Sequence, residues 1–199
     1  MDRVKLRKIW DYWYEEWIKP LIIAIVLALI IRTFIIQPFK IPSGSMRPTL
    51  VEGDRIFVSK FIYGARIPFT NKRVFTVRAP ARGDVMVFES PLDPDKDFIK
   101  RVIGLPGEEV EIANGKIRID GEIAEEPSFI HNNYYYNRSV FGKEGEAFEV
   151  PQDSYYVLGD NSASSRDSRY WGIVPKDNII GRAFFIFWPP KRIKILRNN

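Results

Sequence analysis

Val110-Glu111-Ile112-Ala113-Asn114-Gly115-Lys116-Ile117-Arg118-Ile119 is the stretch that decides the fold class. Two short runs with apolar residues at alternate positions flank Asn114-Gly115. A two-residue Asn-Gly link suits a tight hairpin, because both central residues of that turn take positive φ. Alternation on either side of it predicts strands over 110–113 and 116–119. Asp120-Gly121 predicts another turn directly afterwards.

The same grammar extends outward in both directions. Short β-branched and aromatic runs separated by turn residues predict strands over 55–59, 84–89, 98–103, 147–150, 155–158 and 179–188. After residue 37 there is no long amphipathic helix, and a single helical turn is expected at 175–178. The expected fold is mainly β. Residues 108–152 read as hairpins inserted between two parts of one core, with 127–146 polar, Tyr/Asn-rich and loop-like. The 199 residues allow one modest domain or one domain plus an insertion. There is no internal repeat.

Before this β-rich part lies IKPLIIAIVLALIIRTFII, residues 18–36, which is apolar throughout except near its ends. At about 1.5 Å per residue it just crosses a hydrocarbon core of about 30 Å. Pro20 suits a first helical turn, and Arg32 lies close enough to the end to reach the interface. A run with no polar face does not suit a surface helix. A cleaved signal peptide is the sharper rival, but no A-x-A-like pair follows the apolar core, so an uncleaved anchor is expected. Trp10, Tyr12, Trp13, Tyr14 and Trp17 resemble an interfacial aromatic belt. Arg3, Lys5, Arg7 and Lys8 weight the positive charge before the anchor, which favours a cytoplasmic amino terminus. The expected organisation is an interfacial segment at 1–17, an anchor at 18–36 and an extracytoplasmic domain at 37–199.

A net charge of +5 admits nucleic acid or an anionic bilayer as partner. With no cysteine, no RNA-binding signature and no dense Lys/Arg run, the bilayer is expected and nucleic acid is not. The absence of cysteine also excludes disulfides and thiolate metal sites. Neither a metal nor an organic cofactor is expected.

Three segments could carry chemistry. In Pro42-Ser43-Gly44-Ser45-Met46-Arg47-Pro48 two serines flank a glycine that lets a substrate backbone approach. A serine hydroxyl is a poor nucleophile until a base takes its proton. His131 is the single histidine and sits in the polar insertion, where a surface role is the simpler account. If Ser45 is a nucleophile, a lysine with a burial-lowered pKa becomes the candidate base. Lys100 fits, within Phe98-Ile99-Lys100-Arg101-Val102-Ile103. Lys100 and Arg101 point to opposite faces of such a strand; the plainer alternative is two solvated charges on an edge. The third segment, 159–172, reads GDNSASSRDSRYWG and packs hydroxyls, acids and arginines between two strands.

These segments, with Gly53-Asp54-Arg55-Ile56-Phe57-Val58-Ser59-Lys60-Phe61-Ile62-Tyr63-Gly64 as a fourth, resemble the bacterial type I signal peptidases in order and spacing behind an anchor. That resemblance implies a β-rich catalytic domain, single-pass in the plasma membrane, that removes signal peptides from secretory preproteins by cutting after A-x-A-like sites. It implies Ser45 as nucleophile and Lys100 as general base in a Ser-Lys dyad. Ser43 and the Ser45 amide would form the oxyanion hole, Ser165 would orient the lysine, and Asp160, Asp167 and Arg169 would shape the final loop. Ile41, Phe57 and Val102 would line a small apolar substrate pocket. Two departures stand out: Ser162-Ala163 occupy positions often Arg-Asn or Arg-Asp in the family, and Arg166 occupies one that is often alanine. The alternatives are a tethered β module that binds exported polypeptides, a self-cleaving repressor-type peptidase, and a Ser-x-x-Lys amidase. Ser45-Met46-Arg47-Pro48 does not match the last.

Overall fold

The computed structural model describes Trp10 and residues 12–66 and 73–197. The basic positions 3–8 lie outside the described residues. A helix spans Tyr14–Ile35, 22 residues, and none of its apolar window is buried against the rest of the chain. At about 1.5 Å per residue it is about 33 Å long, enough to cross a membrane. It stops at Ile35, and Ile36 already opens a strand. The reason is local: Pro38 cannot donate to a helical ladder, and Gln37 before it is pushed to extended backbone.

Fourteen strands follow among the described residues: β1 (Ile36–Lys40), β2 (Arg55–Ser59), β3 (Tyr63–Arg66), β4 (Arg73–Thr76), β5 (Val85–Glu89), β6 (Asp97–Gly104), β7 (Glu109–Ala113), β8 (Lys116–Ile119), β9 (Glu122–Ile123), β10 (Phe148–Glu149), β11 (Ser154–Leu158), β12 (Val174–Pro175), β13 (Ile179–Trp188) and β14 (Lys194–Ile195). The fold is mainly β, as the sequence predicts. The main sheet runs β1-β2-β13-β5-β6-β11-β12, with β14 on β13. All of its pairings are antiparallel. A separate four-stranded sheet, β10-β7-β8-β9, carries the hairpin read from Asn114-Gly115. Asn114 and Gly115 take φ of 52° and 74°, the left-handed values the turn needs. The stretch expected to be wholly loop-like contains one short helix, Ser128–Asn132.

Two apolar clusters cover the main sheet. Ile41, Met46, Leu50, Ile56, Val58, Val85, Val87 and Ile186 fill one. Met86, Phe88, Val102, Val157, Val174 and Ile179 fill another. Their alternation, Val85 and Val87 to one cluster, Met86 and Phe88 to the other, is the period-2 pattern of a strand buried on both faces. A third cluster, around Ile103, Ile112, Ile117 and Tyr156, joins the small sheet to the main one. Lys100 and Arg101 lie in β6, which pairs with β5 over Asp97–Arg101 and with β11 from Arg101 onward; both are buried, and neither is a solvated edge charge.

Candidate active site

The turn after β1 places Ser45. A single 3-10 turn, Gly44–Met46, is pinned from inside by buried Met46. From the other side Asn161 donates twice to it, from its backbone N–H to the Ser45 carbonyl (3.0 Å) and from Nδ2 to the Gly44 carbonyl (3.1 Å). Ser45 is 9% exposed. Lys100, 5% exposed, reaches it from β6, with Nζ 2.7 Å from Ser45 Oγ and 3.0 Å from the Ile99 carbonyl. The Phe98 ring lies 5.7 Å from the same nitrogen.

Three neighbouring charges act on this amine in opposite senses. Asp167 and Asp160 favour its protonated form and Arg169 opposes it. Burial outweighs them all and pulls Lys100 down to about 8. Each of the two acids is itself paired with an arginine. Arg101 forks onto Asp160 with two bonds of 2.7 Å, and Arg169 onto Asp167 with two more of 2.7 Å. All four of these side chains are almost wholly buried. Such pairs persist only when every remaining donor is satisfied. Arg101 also donates to the Gly83 carbonyl and lies over Phe129. Arg169 also donates to the carbonyls of Tyr136 and Ser162 and to Ser162 Oγ. Ser162, one of the two family departures, is therefore an interior ligand of Arg169 and also accepts from the Tyr136 N–H.

Gly159 opens the loop against the serine turn. A Cβ there would sit 2.2 Å from Ser165 Oγ and 2.5 Å from the Ser45 carbonyl oxygen, so only glycine fits. The same point in space thus lies next to both Ser165 and Ser45. Ser165 Oγ is buried without a hydrogen-bond partner among the described residues. The Gly159 N–H donates to Asp167, which ties the loop ends together.

Ser45 and Lys100 lie in a cavity of about 540 Å³, also lined by Pro42, Ser43, Phe98, Ile99, Ser164 and Arg166. A second, small apolar cavity of about 30 Å³ adjoins it, lined by Phe39, Ile41, Ile56, Val87 and Ile99 among others. The fold thus brings together Ser43, Ser45, Lys100 and Ser165, with Asp160, Asp167 and Arg169 behind them. Ile41 lines the small cavity. Phe57 and Val102 line neither cavity: Phe57 stacks on Phe187 at 4.3 Å, and Val102 is in the core. His131 lies in the short helix of the insertion and does not line the cavity that holds Ser45. Sequence reasoning missed Asn161, Arg101 and Gly159. Gly-Asp-Asn was visible as a turn, but nothing local reveals that its asparagine clamps a turn over a hundred residues away.

A hydroxyl and a buried amine thus lie in contact in a cavity on a mainly β domain. Comparison with known proteins narrows the class. Residues 14–188 match the family model described as signal peptidase, peptidase S26. Signal peptidase I of Pseudomonas fluorescens is 40% identical over 205 residues, covering 86% of this chain and 72% of its own length. That of Leptolyngbya laminosa is 42% identical over 186 residues, covering 89% and 81%. A crystal structure of a signal peptidase I from Enterococcus faecalis aligns over 53% of this chain and 97% of its own, at 31% identity and a TM-score of 0.44. The chain belongs to the signal peptidase family, peptidase S26, and is a type I enzyme of that family, a serine endopeptidase.

Proposed function

We propose that Ser45 and Lys100 are the nucleophile and general base with which this enzyme removes signal peptides, cutting after small residues. The observation that carries the reading is the 2.7 Å contact between Lys100 Nζ and Ser45 Oγ on a lysine that is 5% exposed. Burial makes neutral Lys100 accessible near neutral pH, and a neutral amine can take the serine proton. Ser45 Oγ then attacks the scissile carbonyl. The Ser43 hydroxyl and the Ser45 N–H stabilise the oxyanion, a term worth about 3–4 kcal/mol per donor in serine proteases. Lys100 returns the proton to the leaving amine. Water, deprotonated in turn by Lys100, releases the acyl-enzyme. Ser165 turns its otherwise unpartnered hydroxyl to Lys100 and orients it.

The substrate is held as an added strand. Residues Asp97 to Lys100 of β6 pair only with β5, because β11 joins β6 from Arg101 onward. Their other edge is open toward the cavity and offers a backbone ladder to an extended peptide. The small cavity takes an alanine-sized side chain, with Phe39, Val87 and Ile99 joining Ile41 in that role in place of Phe57 and Val102. The chain divides into an interfacial segment at 1–17, an anchor at 18–36 and a catalytic domain at 37–199 with its hairpin insertion at about 108–152. The charge bias before the anchor supports a cytoplasmic amino terminus and a catalytic domain outside the plasma membrane. Shared residence in the bilayer then brings enzyme and apolar signal segment together.

Incubation of the detergent-solubilised protein with a secretory preprotein, read by mass spectrometry, tests this. One cut after an A-x-A-like site is expected, absent in Ser45→Ala and in folded Lys100→Ala. Turnover surviving in either variant would remove the corresponding role.

A further inference from the structure

Four charged side chains line the cavity that holds Ser45: Lys96, Asp97, Lys100 and Arg166. Three are accounted for locally. Lys96 is paired with Asp93 at 2.5 Å. Partial burial and the neighbouring Glu89 together raise the pKa of Asp97 against the opposing pull of Lys60. Lys100 is turned onto Ser45. Arg166 is different. It is exposed, it forms no ion pair among the described residues, and its guanidinium lies 5.9 Å from the centre of the Tyr170 ring. A guanidinium resting on a ring keeps its in-plane N–H fork free, and that fork fits a carboxylate with two parallel bonds.

The position of Arg166 along the cleft says which part of a substrate it meets. The small apolar cavity shares Pro42, Asp97, Phe98 and Ile99 with the large one, and so opens from that end. Ser164 and Arg166 line the large cavity only. If residues before the cut fill the apolar end, as proposed above, the chain beyond Ser45 must leave past Ser164 and Arg166. We infer that Arg166 is a specificity-determining residue that receives an acidic side chain from one of the first two residues after the scissile bond. The inference rests on the cleavage reading of the preceding section. It assigns the enzyme a preference among mature-protein amino termini, a property set by the leaving side of the substrate and independent of the small-residue rule before the cut.

The test uses the full-length protein in neutral detergent, so that no anionic lipid headgroup competes for the arginine. A single preprotein sequence is prepared with Glu, Gln or Lys at the first or the second position after the cut. The readout is the ratio of kcat/KM for the Glu and Lys substrates within each enzyme, which is independent of any overall loss of activity. An exposed charge pair is worth about a three- to fivefold effect per charge change, so a Glu-to-Lys ratio of roughly ten is expected at low salt. The ratio should fall to near one in Arg166→Gln, invert in Arg166→Glu with the Lys substrate now favoured, and shrink in high salt. An unchanged ratio in Arg166→Gln, a ratio near one in the unmodified enzyme, or a charge preference seen only before the cut would each overturn the assignment. If even the Gln substrate is left intact by the unmodified enzyme, the cleavage reading itself fails. A Gln substrate cut normally, with no charge preference, sinks the role of Arg166 alone.

Discussion

Raising the pH from 6 to 10 perturbs one group in the cleft above all, and its effect on rate can be worked from the structure. Lys100 is held at about 8 by burial, against an ordinary 10.5. At pH 7 about 9% of it is then neutral, where an unperturbed lysine would be about 0.03% neutral, a gain of roughly 300-fold in active base. If neutral Lys100 takes the proton from Ser45, kcat/KM should rise about tenfold per pH unit below about pH 7, reach half its maximum near pH 8 and level off above about pH 9. The assay is kcat/KM on a peptide with no group titrating between pH 6 and 10, with the folded state checked by circular dichroism at each pH. A plateau already reached by pH 6.5 would mean that another group is the base. A rate still climbing tenfold per unit at pH 10 would mean that the amine is not desolvated as its surroundings require. The first result would refute Lys100 as the base, and the second would refute the argument that burial, and not the nearby acids, controls this lysine.

The same burial has a cost in stability that other changes should expose. An unfolded Lys100 keeps its proton up to about pH 10.5 while the folded one releases it near 8, so the unfolded state binds more protons between those values and stability rises with pH across that window. Lys100→Met should accordingly be inactive yet more stable at pH 7, by up to about 3 kcal/mol, with the gain fading towards pH 11, as read from urea midpoints at both pH values. A variant destabilised equally at both would show that the amine is held by its bonds more than it is penalised by burial. Gly159→Ala places a methyl group within 2.5 Å of both Ser165 Oγ and the Ser45 carbonyl oxygen. It should push the serine turn away from Lys100 and cost about a hundredfold in kcat while leaving the protein folded. Near-normal kcat there would show that the turn and the loop can separate without harm.

Much of the architecture was legible because strands and turns are written locally. The predicted limits of 55–59, 116–119 and 179–188 agree with β2, β8 and β13. Alternating side chains and an Asn-Gly pair dictate such elements wherever they occur. The two-residue strands β9, β12 and β14 were not legible, since two residues carry no period; each exists because a longer neighbour, β8, β11 or β13, offers its edge. Ser45 stood out by composition and by family resemblance. The catalytic reading of Lys100 leaned on resemblance too, because Phe-Ile-Lys-Arg-Val-Ile reads equally well as a strand with two solvated charges.

What the chain by itself determined is an apolar helix long enough to cross a membrane, a β-rich domain with a hairpin at Asn114-Gly115, and the candidate serine and lysine. Only the tertiary structure decided that Lys100 meets Ser45 across 55 residues of sequence, and that Arg101 meets Asp160 across 59. The physical reason is burial. A lysine is an ordinary cation until a neighbouring strand, the Ser45 turn and the loop after β11 remove its water, and those pieces come from distant parts of the chain. The same packing provides each nearby acid with its own arginine, and burial, with a smaller push from Arg169, lowers the lysine.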